Sequence, residues 1–105
     1  MNIRFEYLYR DAGNNKIYND IVVANKKGTE TEVLKRRIRN VLISGEFFIA
    51  KKSSLPKLQF PKYDEEFDHD WYEFSSLEDT DCVENDILHR DIAELINNLE
   101  MASRI

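Results

Sequence analysis

The chain has 105 residues, 42% of them hydrophobic, and a formal net charge of −5, which allows one domain with a core of its own and leaves little room for a second. The single cysteine, Cys82, excludes an internal disulfide, and no stretch approaches the ~20 apolar residues that a membrane span needs. MNIRFEYLYR has no apolar signal core, position 2 is Asn and the chain closes on ASRI, so a cytoplasmic protein without a leader, membrane segment or lipid anchor is expected.

In chain order, RFEYLYR alternates Phe5, Tyr7 and Tyr9 with Arg4, Glu6 and Arg10, a period of two that sets three aromatics on one face of a strand. DAGNNK supplies turn residues, IYNDIVVA is β-branched, and NKKG closes it; the two runs predict an antiparallel hairpin. Thr29 and Glu32 have capping-box spacing, and Val33, Leu34, Ile38, Val41 and Leu42 recur at helical spacing, predicting a helix over 30–43 that ends at Ser44-Gly45. EFFIA lacks alternation, the reading for a strand covered on both faces at the centre of the sheet. KKSSLPKLQFP reads as a loop lying on the body through Leu55, Leu58 and Phe60, followed by more loop to about residue 69 and a strand near 70–77. Val83, Ile87, Leu88, Ile92, Leu95, Ile96, Leu99 and Ala102 then predict a second amphipathic helix over 83–102 with an acidic start. The expected fold class is α+β, a small antiparallel sheet with two helices on one face in the order ββαββα.

Charge is unevenly distributed along the chain. Residues 1–62 hold 13 Lys and Arg against 6 Asp and Glu, and residues 63–105 hold 2 against 14, an asymmetry that marks an interaction surface unless the halves neutralise each other in the fold. It peaks in YDEEFDHDWYEF, residues 63–74, where six carboxylates, one histidine and five aromatic rings stand without a Lys or Arg.

A metal site is one reading of that stretch. As an EF-hand loop opened by Asp64, however, it would place His69 where the turn needs Gly and Ser75 where a bidentate Glu belongs. Zinc would want Cys and His ligands, and Cys82, His69 and His89 form no ligand-spaced pair. Catalysis lacks a nucleophile elbow, a glycine-rich phosphate loop and an evident activating cation near Cys82, and residues flanking His69 on a strand point away from it. His89 reads as a boundary residue of the second helix. The basic set Lys35, Arg36, Arg37 and Arg39 on the first helix, preceded by Lys26 and Lys27, fits a solvated face better than a nucleic-acid surface in a chain of pI near 5, with Glu32 able to pair with Arg36. The strongest reading is a partner-binding surface of acids and aromatic anchors: Asp64, Glu65, Glu66, Asp68, Asp70, Trp71, Tyr72, Glu73, Glu78, Asp79 and Asp81.

YLYRD with Asn15-Lys16, GEFFIA, LPKLQF and YDEEFDHDWYEF together resemble a family of small uncharacterised bacterial proteins over roughly residues 5–78. The resemblance implies no catalytic residues. It does suggest that Arg10, Asp11, Asn15 and Lys16 meet Asp68, His69, Asp70 and Trp71 at one site.

The expected function is a non-enzymatic protein–protein interaction module, a regulator or inhibitor of cellular or phage type, binding a basic, nucleic-acid-handling protein and using no cofactor. The alternative is a metal-dependent or acid–base site on Asp64, Asp68, His69 and Asp70 with Arg10 and Asp11.

Overall fold

A strand with neighbours on both sides must send its side chains alternately to two faces, and the first strand does this with apolar residues on one side. The computed structural model describes residues 1–58 and 70–104. Strand β1 (Asn2–Arg10) turns Ile3, Phe5, Tyr7 and Tyr9 inward, none more than 2% exposed. It pairs antiparallel with β2 (Lys16–Val23) through a turn in which Asp11 accepts the Asn15 amide at 2.8 Å and Asn14 takes a positive φ of 65°. On its other side β1 pairs antiparallel with β4 (Trp71–Thr80), which pairs in turn with β3 (Phe47–Ile49), so the sheet order is β2-β1-β4-β3.

The β1–β4 register shifts at one place. Glu6 faces Ser76 but Tyr7 faces Phe74, which leaves Ser75 as the extra residue of a β-bulge, its hydroxyl donating to Glu6 Oε1 at 2.7 Å. The bulge resets the alternation, so that Tyr72, Phe74 and Leu77 all reach the core although the last two are three residues apart.

Helices α1 (Thr31–Val41), α2 (Ala50–Ser53) and α3 (Ile92–Met101) cover the inward face. Leu34 and Ile38 of α1, and Ile92, Leu95, Ile96 and Leu99 of α3, complete one core with the strand residues. The fold is thus the expected α+β class, an antiparallel sheet with helices packed against it, with a single extra turn of helix between the third and fourth strands.

Three expectations about elements are corrected. EFFIA forms an edge strand, not a central one: the outer side of β3 is covered by Ile43, which exchanges two backbone hydrogen bonds with Phe47, and by the Ala102 carbonyl, which accepts from Ile49 at 2.7 Å. Thr29 makes no capping box, because its amide is taken by Asn25 Oδ1 in the preceding turn and α1 starts two residues later. The second helix starts at Ile92, not 83. Val83 and Ile87 are 83% and 80% exposed, His89 has a φ of 52° that a continuing helix cannot hold, and Asp91 caps α3 in a capping box with Glu94.

What replaces the missing helical turns is a buried ion pair. Asp86 and Arg90 are each 3% exposed. The Arg90 guanidinium meets both Asp86 oxygens at 2.8 and 2.9 Å and also donates to the carbonyls of Ser53 and Ser54 and to Asn98 Oδ1. One side chain therefore ties the 82–91 loop to the end of α2 and the middle of α3. Burial alone would raise the Asp86 carboxyl, but the hydrogen bonds from the Arg90 side chain and amide overcome it and hold the group below the ordinary carboxylate range.

Asp86→Ala leaves a cation buried without its partner and is expected to cost ~3–5 kcal/mol in denaturant unfolding. Because the folded-state pKa is depressed, the contribution of Asp86 is complete above ~3.9 and is lost as pH falls through the folded value; Asp86→Asn should remove that part of the acid-side loss. An Asp86→Ala variant as stable as the parent would refute the role.

Tyr7 sets a second pH limit. Burial pushes its hydroxyl up to about 12, against the Asn19 hydrogen bond that lowers it, and the hydroxyl donates to the Pro56 carbonyl at 2.8 Å. A neutral phenol is favoured in the folded state, so stability should fall as pH rises from ~10 towards that value, and less steeply in Tyr7→Phe. Equal slopes in parent and variant would contradict the assignment.

Candidate functional site

The face turned away from the helices receives the other half of each strand. Arg10, at the end of β1, stands across the sheet from β4 and holds Glu73 in a two-pronged contact, Nε to Oε1 at 2.8 Å and Nη2 to Oε2 at 3.1 Å, while Nη1 reaches Asn14 Oδ1. The hydrogen bonds that the guanidinium donates to Glu73 raise its pKa further. Beside this pair, Phe47 of β3 and Trp71 of β4 face each other with ring centroids 5.7 Å apart and planes inclined at 39°. Among the described residues Arg10, Glu46, Phe47, Trp71 and Glu73 line an open cleft of about 630 Å³, within the range of pockets that take small ligands or a partner's side chain.

Two aromatic walls with two carboxylates and one arginine give the cleft an excess of negative charge beside π-faces. That combination favours a cation carried on an apolar stem, because ring quadrupole and carboxylate attract it together.

The predicted partner-binding residues meet different fates. Asp64, Glu65, Glu66 and Asp68, with His69 of the alternative set, lie outside the described residues. Asp70 is half-buried just before β4, and its carbonyl accepts the Ala50 amide at 2.8 Å. Trp71 and Glu73 line the cleft. Tyr72 is corrected from a surface anchor to a core residue: it is 2% exposed, its ring lies 5.3 Å from that of Tyr7, and its hydroxyl accepts the Leu58 amide at 2.6 Å. Strand alternation requires this, since Trp71 and Tyr72 cannot share a face. Glu78 pairs with Arg4 at 2.9 Å, Asp79 accepts from the Thr31 hydroxyl at 3.2 Å, and Asp81 is exposed.

Of the alternative set, Arg10 reaches the cleft, whereas Asp11 is engaged with Asn15 in the hairpin turn, whose hydrogen bonds hold its carboxyl below the usual range. Of the resemblance-based grouping, Arg10 and Trp71 line the same cleft, while Asp68 and His69 lie outside the described residues. Among the described residues no group of three or more His, Cys, Asp or Glu is placed to hold a metal ion. Glu46 and Phe47 escaped the sequence reading. The signal was the Phe47-Phe48 pair, because on a strand one of two adjacent rings must point away from the core.

Elsewhere, the basic side of α1 is partly used internally. Glu32 pairs with Lys35 at 3.4 Å, not with Arg36, and Arg39 lies 5.0 Å over the Phe74 ring while donating to the Gly45 carbonyl. Cys82, read as having no cation nearby, has Arg4 Nη2 3.2 Å from its sulfur. His89 sits in the loop before α3.

No family model, curated protein or solved structure matches the chain.

Trp71 is the single tryptophan, so its emission reports on the cleft. Arg10→Ala removes one wall and frees Glu73, and is expected to shift the emission to longer wavelength and increase acrylamide quenching. Arg10→Lys, which cannot make the two-pronged contact, should fall between. Emission unchanged in both variants would show that Arg10 does not shape the cleft.

Proposed function

We propose that the protein is a non-enzymatic binding module that holds a basic segment of another protein. A lysine or arginine of the partner enters the Trp71–Phe47 cleft, and the exposed Glu46 attracts its charge, Glu73 being held by Arg10. A small regulator or inhibitor of a basic, nucleic-acid-handling protein is the corresponding role. The supporting observation is the cleft itself, in which aromatic rings and carboxylates stand together on the face that the helices leave uncovered. Sequence adds to it: five of the seven residues from Asp64 to Asp70, immediately before Trp71, are Asp or Glu. Arginine and tryptophan are also the residue types that most often dominate interface energies.

The metal or acid–base alternative has less support, because its described carboxylates, Asp11 and Asp70, do not line the cleft and Asp11 is engaged in the hairpin turn.

The test is a titration of Trp71 fluorescence with an arginine- and lysine-rich peptide of about a dozen residues. The expected result is a saturable change that weakens as salt rises, since charges beyond a ~8 Å Debye length are screened at physiological ionic strength. Glu46→Lys should weaken it at least tenfold, and a glutamate-rich peptide of equal length should give none. A response to divalent ions and not to the basic peptide would reverse the order of the two readings.

A further inference from the structure

The outer edge of β2 is closed along only half its length. Val22 turns its backbone N–H and C=O away from β1, and Asn85 takes both, its side-chain oxygen accepting the Val22 amide at 2.8 Å and its own amide donating to the Val22 carbonyl at 3.0 Å. Further along the same edge, Ala24 bridges to Asp91, and its carbonyl accepts the Ile92 amide. In an antiparallel ladder every second residue points its backbone groups outward, so Asp20, Tyr18 and Lys16 share the orientation of Val22. Among the described residues nothing bonds to the outward backbone of these three. By contrast, the other edge of the sheet, β3, is covered by Ile43 and Ala102.

We propose that this open half-edge pairs with the same edge of a second copy of the chain, antiparallel about a two-fold axis at Tyr18. In that register Tyr18 faces its own counterpart, and Lys16 of each copy faces Asp20 of the other. All three positions carry outward N–H and C=O groups, so each facing pair exchanges two hydrogen bonds and the two sheets become one of eight strands. The three side chains lie on the face turned away from the helices, where the facing Lys and Asp side chains are direct neighbours.

Charge selects the register. Moving the axis to Lys16 or to Asp20 would set like charges against each other, and Asn85 ends the available edge at Val22. Charged residues on an edge usually deter pairing. Here opposite charges stand two residues either side of a half-exposed tyrosine, a self-complementary arrangement that an isologous dimer requires. Asp20 is free to engage, its contact with Arg4 being a long 3.9 Å between partly exposed groups.

The experiment is sedimentation equilibrium on the full chain over micromolar to millimolar concentration, with circular dichroism as the control for folding. The parent should approach twice 12.5 kDa. Lys16→Asp and Asp20→Lys, each placing like charges opposite, should sediment as monomers, and the double exchange should restore the dimer. Tyr18→Pro, which removes an outward N–H without entering the β1 ladder, should also abolish it. A parent that stays monomeric throughout overturns the proposal and leaves the edge to a strand from a different protein. A dimer that survives the single reversals or Tyr18→Pro, or that the double exchange fails to restore, overturns it as well.

Discussion

Strand β1 lies between β2 and β4, and each of its side chains must go to one of two faces. Ile3, Phe5, Tyr7 and Tyr9 go to the side that α1, α2 and α3 cover; Arg4, Glu6, Leu8 and Arg10 go to the other, where Leu8 is 5% exposed. The core and the candidate cleft both follow from that division. Aromatic residues supply much of the core because β1, β3 and β4 each place rings at inward positions, and Phe5, Tyr7, Phe48, Tyr72 and Phe74 pack against one another at centroid distances of 5.3 to 6.4 Å. The side turned away from the helices carries Arg4, Arg10 and Glu73, and there Trp71 and Phe47 frame the cleft.

The sheet order also decides what becomes of the charge asymmetry. In sequence the basic and acidic halves are separate. In space β4 lies directly beside β1, so Arg4 meets Glu78 and Arg10 meets Glu73. Two of the acids expected on a continuous negative surface are therefore matched by cations of the first half, while Asp86 and Asp91 serve internal contacts. Such partly exposed pairs are individually weak. Their consequence is to narrow the negative surface to the cleft and to exposed residues such as Glu46 and Asp81, which is why the binding proposal rests on the cleft and not on the whole acidic segment.

Period-two alternation in β1, turn chemistry at Asp11–Asn15 and the apolar stripe of α1 were enough to read the hairpin, the first helix and the α+β class, because each is a local pattern with one reading. The features that resisted reading are non-local. The Ser75 bulge inserts a step into the alternation of β4, so no strict period of two runs from Trp71 to Leu77. Val83, Ile87 and Leu88 continue the helical period of α3 backwards, yet the Asp86–Arg90 contact with α2 and α3 holds that stretch as a loop and leaves them exposed. The edge position of β3 depends on Ile43 and Ala102 covering it, which no run of five residues can announce. At the candidate site the acids were visible as composition, but their partners were set by strand pairing, and Glu46 and Phe47 became part of the site only through the β3–β4 register.

The central proposal is that a basic partner is received on the side of the sheet turned away from the helices, where β3 meets β4. Amide chemical-shift mapping of the labelled protein with a basic peptide tests it most directly. The account predicts that perturbations cluster at residues 46–49 and 70–74 and at Arg10. Perturbations confined to α1 or to the 79–84 segment, with the cleft residues unmoved, would contradict it.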